Sequence, residues 1–274
     1  MEDKKFKEEV VKYWDAGSSD YDTAPGHGLF HEEEKQEWIK ALKEIVPEGA
    51  KVLDVGCGTG FLTLLLAEMG HTVKGVDISE GMQADAKRKA EEQGLEDRIT
   101  FEIGDAENLS EPDGEYDVVI NRHLLWTLPH PGEAVDSWIR VVKPGGKVIV
   151  IDGDWKAYAK KAKERDNAEH EHSHEEAHEH CHADGHGHSH GHGHGHHAHG
   201  HKGHGGHVYT QEMNDNLPSR SGEKEVMDYI QKDGVEIEIK RLTNVEDIER
   251  KMFADDEWLS SGEHKRFAYI LNKA

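Results

Sequence analysis

The chain has 274 residues, 35% of them hydrophobic, with a mean hydropathy of −0.84 and a formal charge of −23. That length allows one large domain or two small ones with a real core, and the acidity argues against a nucleic-acid partner, which would need a basic stripe to displace counterions. No stretch approaches 18 apolar residues, and the opening MEDKKFKEEVVKYW lacks the apolar segment of a secretory signal, so neither a membrane partner nor export is expected. Two cysteines, Cys57 and Cys181, cannot build a disulfide framework and suit a reducing, cytoplasmic setting.

Phe6, Val10, Val11 and Trp14 fall at helical spacing within residues 3–14, which predicts a short amphipathic helix. The following DAGSSDYDTAPGHG is a loop by composition. Trp38, Ile39, Leu42, Ile45 and Val46 define a second helix over residues 31–46, ended by Pro47. KVLDVGCGTG then reads as strand, tight loop and helix start, with glycines at 56, 58 and 60 that let a ligand lie against bare backbone. FLTLLLAEMG is a buried helix, HTVKGVD a second strand ending at Asp77, and ISEGMQADAKRKAEEQG a helix with Ser79 as N-cap and Gly94 as stop. A third strand runs from ITFEI into Asp105 and Ala106, and a fourth, YDVVINRHLLWTL, carries its tail from Asn121 to Leu128 past the sheet edge. Residues 131–142 are helical, KPGG turns the chain, and KVIVIDGDW is a fifth strand. Strict β-α alternation predicts an α/β, Rossmann-like parallel sheet flanked by helices, with a ligand at the carboxyl ends of its strands.

Spacing in the glycine loop separates three ligand classes. A P-loop needs Gly-Lys-Ser/Thr, but Phe61 and Leu62 follow Gly60. The dinucleotide fingerprint needs a third glycine where Phe61 stands, which demotes NAD without excluding it. Asp54, just ahead of the loop, would repel a pyrophosphate and suits a cationic ligand such as S-adenosylmethionine. Asp77, some 20 residues on, can accept ribose hydroxyls from either.

DVGCGTG, the acid of GVDIS, GDAENL, YDVVINRHLLWTL and VVKPGG, in that order, resemble the motifs of the small-molecule branch of the class I S-adenosylmethionine-dependent methyltransferases, over residues 50–153. YWDAGSSDYD is similar to the lid segment of that branch. The resemblance implies a seven-stranded, mostly parallel sheet whose last strand inserts antiparallel. It implies that Asp54, Gly56, Gly58 and Gly60 cradle the methionine part of the cofactor and that Asp77 holds its ribose. Ile78 would flank the adenine, Asp105 and Ala106 would meet its edge, and Asn121 with Arg122 would line the methionine end. Tyr13, Trp14 and Tyr21 are placed either to close over the cofactor or to anchor the N-terminal helix. His123, directly after strand four, is the candidate base for an acceptor that must lose a proton; packing beneath the loop is the alternative.

Residues 164–207 depart from that pattern. Seventeen histidines lie between His170 and His207. His170, His174, His178 and His182 recur every four residues, so a helix would place them on one stripe where i, i+4 pairs can share a metal ion, with Cys181 as a soft ligand. The Gly-His repeat that follows suits Ni, Zn, Co or Cu by number of imidazoles and is expected to be disordered in part. The expected domains are a helical cap over residues 1–48, a methyltransferase domain over 49–163 and 208–274, and a metal-binding insertion over 164–207. GEKEVMDYIQKDG, VEIEIKRL, VEDIERKMF and KRFAYILNKA complete the domain as helix, strand, helix and strand. The function expected is methyl transfer to a small-molecule acceptor. The alternative is a metal storage or delivery protein that uses the fold as a carrier.

Overall fold

The structure, a computed structural model, describes residues 3–153 and 223–274. The histidine-rich stretch, with the metal candidates His170, His174, His178, His182 and Cys181, lies outside the described residues. Among the described residues no helix is long and apolar enough to cross a membrane.

The alternation of apolar strands and amphipathic helices folds as one sheet in the order β3-β2-β1-β4-β5-β7-β6. Its strands are β1 (Lys51–Val55), β2 (Thr72–Asp77), β3 (Ile99–Ile103), β4 (Tyr116–Arg122), β5 (Val142–Gly153), β6 (Val235–Arg241) and β7 (Arg266–Lys273). The first five are parallel, and β7 enters antiparallel between β5 and β6. The central strands read as continuous apolar runs because both faces are covered. On one face Val52, Val118, Ile120, Ile149 and Ile151 pack with α2 (Glu32–Ile45) and α3 (Phe61–Glu68) around Trp38, Leu42 and Leu65. On the other, Leu53, Val119, Val148 and Val150 pack with α5 (Pro131–Val141) and α6 (Glu223–Ile230) around Trp138 and Ile230. The remaining helices are α1 (Asp3–Tyr21), α4 (Glu80–Glu92), α7 (Thr243–Met252) and the short α8 (Glu257–Ser260). Ser79 caps α4 as expected, its Oγ accepting from Met82 N over 3.1 Å.

Three local expectations are corrected. The stretch expected as a loop after residue 14 continues α1 to Tyr21, because its acids bond sideways: Asp15 Oδ1 accepts from Ser79 Oγ at 2.5 Å and from Gly81 N at 3.0 Å. Strand β4 stops at Arg122, and residues 125–127 form a 3-10 turn rather than more strand. KPGG does not separate α5 from β5 but lies inside β5 as an irregularity, with Tyr116 opposite Val142 and Val118 opposite Lys147.

Strand order reverses between β2-β1 and β4-β5, so the loops after β1 and β4 diverge and leave a crevice at their carboxyl ends. α1 runs along the rim of that crevice.

Candidate functional site

The loop after β1 is held by hydrogen bonds from its own backbone amides and from Thr59 Oγ1, which donates to Asp22. Gly56 N and Cys57 N both donate to Val76 O, at 2.7 and 3.1 Å, which ties the loop to the end of β2. Gly56 has φ 66°, and a Cβ there would sit 2.7 Å from Leu124 Cδ1, so any side chain would be strained and would clash. Gly58 has φ 53° and no atom within 4 Å of the place of a Cβ, leaving bare backbone toward the crevice. Its N–H donates to Asp77 Oδ2 over 2.7 Å, and Ser79 N donates to Asp77 Oδ1 over 2.9 Å. These two bonds fix the carboxylate and leave acceptor capacity on both oxygens. Burial nevertheless holds the Asp77 pKa above its ordinary value, the amide bonds opposing it.

The crevice is open to solvent on one side, with about 780 Å³ of empty space counted out to solvent. Gly56, Gly58, Asp77, Ile78, Asp105, Ala106, Arg122, His123 and Tyr21 line it, so nine of the sequence-derived candidates converge. Four do not reach it. Asp54 lies beneath the loop, 2% exposed, accepting from Thr63 Oγ1 over 2.6 Å; burial, reinforced by the charge of Asp77, pushes its pKa up to about 7. Gly60 serves as N-cap of α3 and packs toward Ala86. Asn121 is wholly buried, and neither polar atom of its amide has a hydrogen-bond partner among the described residues. Tyr13 is 37% exposed and points away, edge-on to Trp14, because the extended α1 turns Phe6, Val10, Trp14 and Tyr21 inward instead.

Lys7 was not among the expected site residues. Its Nζ lies 2.6 Å from both Asp105 and Glu107, and Asp22 accepts from Thr59 Oγ1 at 2.5 Å and from Lys89 Nζ at 2.6 Å. With Asp15, these contacts pin both ends of α1 to the opposite bank. The inward stripe Phe6, Val10 and Trp14 was the available signal, and its destination was not.

His123 lines the wall below Arg122 with a positive φ of 59°. Arg266 Nη1 lies 2.6 Å from its Nε2, and since a guanidinium can only donate, Nε2 accepts and the ring proton sits on Nδ1. Burial, followed by the charges of Arg122 and Arg266, holds the imidazole pKa well below its ordinary value. That combination is unsuited to a base at Nε2, the role the sequence suggested. Behind it Arg266 Nε donates to both Glu249 oxygens, at 2.8 and 2.9 Å, and His264 Nε2 donates to Glu249 Oε2 over 2.9 Å. All three are buried. Burial pushes the Glu249 pKa up, but the Arg266 charge and the hydrogen bonds outweigh it and bring it to about 2. Glu249, Arg266 and His264 had no sequence motif to mark them.

A doubly wound sheet with a glycine loop at its switch point and a carboxylate closing β2 defines a nucleotide-binding Rossmann-like domain. Residues 53–150 match the methyltransferase domain family, and over that stretch the chain is similar to S-adenosylmethionine-dependent methyltransferases. The chain is 33% identical over 154 residues to the ubiquinone biosynthesis O-methyltransferase of Coxiella burnetii, covering 56% of this chain and 65% of that protein's length. It is 35% identical over 108 residues to the methyltransferase GfsG of Streptomyces halstedii, covering 39% of each. The crystal structure of the [4+2]-cyclase SpnF superposes with a TM-score of 0.60 at 17% identity over 97% of this chain and 96% of that one, a likeness of fold alone.

Proposed function

We propose that the protein is an enzyme that transfers the methyl group of S-adenosylmethionine to a small-molecule acceptor. The observation that carries this is the convergence of Gly58, Asp77, Asp105 and Ala106 on one crevice beside the glycine loop. The site fits the cofactor: Gly58 offers open backbone and Asp77 offers fixed acceptor oxygens. Gly56 and Gly58 would hold the methionine part, Asp77 the ribose, Ile78 the adenine face, and Asp105 with Ala106 its edge. Bound there, the cofactor supplies an electrophilic methyl group. The chain supplies alignment and exclusion of water, with α1 closing one side of the crevice. A small acceptor is supported by the O-methyltransferase names of the relatives.

The test is calorimetry with S-adenosylhomocysteine, followed by transfer of isotopically labelled methyl from the cofactor into metabolite extracts. Asp77→Ala is expected to weaken S-adenosylhomocysteine at least about tenfold, since hydrogen bonds to a charged group carry roughly 1.5–3 kcal/mol. Wild-type protein that binds no cofactor would sink the reading.

A second activity is favoured by one observation, the 17 histidines between His170 and His207. We infer that this stretch holds Ni, Zn, Co or Cu ions, His170, His174, His178, His182 and Cys181 first among its ligands, in a protein of the cytoplasm. Among the described residues no cluster of three metal-ligating side chains exists, so metal taken up by the protein would be held by the stretch itself. Deleting residues 168–207 is expected to abolish most nickel and zinc uptake in equilibrium dialysis while S-adenosylhomocysteine affinity stays within twofold of wild type. Loss of folding in that variant would contradict an insertion outside the methyltransferase domain.

A further inference from the structure

An ion taken out of water needs a counter-ion or it loses its solvation without return, so buried charges are paired. The cations around the crevice follow this rule with one exception. Lys7 lies between Asp105 and Glu107, and Arg266 holds Glu249 through two hydrogen bonds. Arg122 lines the crevice, is only 9% exposed, and among the described residues makes no ion pair with any carboxylate. Its Nη1 and Nη2 donate to the backbone oxygens of Gly26 and His27, at 2.8 and 2.9 Å. Its flat face covers the Phe61 ring at 3.7 Å, so aromatic stacking and two carbonyls orient it without neutralising it.

The surroundings add positive charge. Arg122 and Arg266 both lie 5.7 Å from the Trp38 ring, and among the described residues the carboxylate bonded to a guanidinium there is Glu249, engaged by Arg266 and His264, while Glu246 bonds the Arg266 backbone N and the Arg241 side chain. Glu34 of α2 is buried and accepts from Phe30 N, Asp54 is buried and accepts from Thr63 Oγ1, and neither bonds Arg122; burial raises the pKa of both. Burial, and after it the charges of the same two guanidiniums, holds the His123 pKa well below its ordinary value. Arg122 thus presents a stacked, oriented guanidinium to the crevice, with two of its five N–H groups on the Gly26 and His27 carbonyls and the others left to donate to a ligand oxygen.

We propose that Arg122 anchors an anionic oxygen group, a carboxylate or a phenolate, on a small molecule bound in the crevice. The identity of that molecule rests on the methyl-transfer reading: either the carboxylate of the cofactor's amino-acid portion or an acid group on the acceptor. An acceptor bound as its anion needs no protein base, in keeping with a His123 whose Nε2 is occupied by Arg266.

The experiment is calorimetric titration of the full chain, wild type, Arg122→Met and Arg122→Lys, with three sets of probes: S-adenosylhomocysteine; 5′-methylthioadenosine, which lacks the amino-acid portion; and salicylate against its neutral amide, salicylamide, with and without saturating S-adenosylhomocysteine. If the partner is the cofactor carboxylate, Arg122→Met weakens S-adenosylhomocysteine about 30-fold or more, leaves 5′-methylthioadenosine unchanged, and Arg122→Lys recovers part. If the partner is the acceptor, S-adenosylhomocysteine is unaffected, and the wild-type preference for salicylate over salicylamide disappears in Arg122→Met. A folded Arg122→Met that binds S-adenosylhomocysteine like wild type, with no wild-type preference for salicylate, overturns the proposal. Should that variant not fold, wild type decides: equal affinity for S-adenosylhomocysteine and 5′-methylthioadenosine, and for salicylate and salicylamide, overturns it equally. A wild type that binds neither nucleoside defeats the methyltransferase reading instead, and the salicylate pair then judges Arg122 alone.

Discussion

Glu249→Gln is expected to destabilise the protein by about 3–5 kcal/mol, the usual result of removing one partner from a buried ion pair. The carboxylate is 0% exposed and satisfies Arg266 Nε and His264 Nε2 together, so the variant strands a guanidinium that is itself 1% exposed. Urea denaturation at pH 7 measures the loss, and a change below about 1 kcal/mol would show the network to be incidental. Replacing Glu249 and Arg266 together by methionine should recover part of the stability, because no charge is then left unpaired. The same group fixes an acid dependence. Its folded pKa of about 2 lies below the ordinary 4.5, so its contribution is complete above about pH 4.5 and is lost as pH falls through 2. That window is worth roughly 3 kcal/mol at 1.36 kcal/mol per pH unit, and Glu249→Gln should lack this part of the slope.

Asp54 works in the opposite direction. Its folded pKa of about 7 stands above the ordinary 3.8, so the folded state keeps a proton that the unfolded chain has already released. Stability therefore falls as pH rises from about 4 to 7, by up to roughly 4 kcal/mol, and stays low above that. Asp54→Asn, which retains an oxygen for Thr63 Oγ1, is expected to be more stable than wild type at pH 8 by a few kcal/mol and to gain much less at pH 5. A cation bound above the glycine loop would favour the ionised carboxylate. S-adenosylmethionine should consequently release protons on binding near pH 7, S-adenosylhomocysteine fewer, and Asp54→Asn none from this source. Calorimetry in buffers of differing ionisation enthalpy reads the difference; identical release for both ligands would uncouple Asp54 from the sulfonium.

The sheet was legible in the sequence because its signals are local. Val52 to Val55 running into Gly56, or Thr72 to Asp77 running into Ser79, carry both their strand and their turn in adjacent residues. The loop glycines and Asp77 were legible for the same reason. What failed was set at a distance. DAGSS looks like a loop until Asp15 finds Ser79 and Gly81 across the crevice, 64 and 66 residues on. His123 looks like a base until Arg266, 143 residues away, takes its Nε2. Tyr13 and Tyr21 are indistinguishable by type, and only the extra turns of α1 decide which faces the crevice. Arg122 was visible as a site residue, but its want of a counter-ion emerged only once every neighbouring carboxylate had been placed. The histidine stretch was the plainest signal of all, being compositional.

The antiparallel entry of β7 between β5 and β6 has a consequence for biogenesis. During synthesis β5 leaves the ribosome with β4 already available on one side, yet its other neighbour, residues 266–273, is still unmade, and residues 154–222 must be translated first. Lengthening a connection alters the equilibrium little, about 0.6 kcal/mol per doubling. It does prolong the interval in which an apolar strand from the middle of the finished sheet stands as an open edge, the condition under which nascent chains pair wrongly with one another. The long excursion is thus a matter of timing, and overproduced protein should be rescued more by slowed translation or chaperones than by stabilising substitutions in the core.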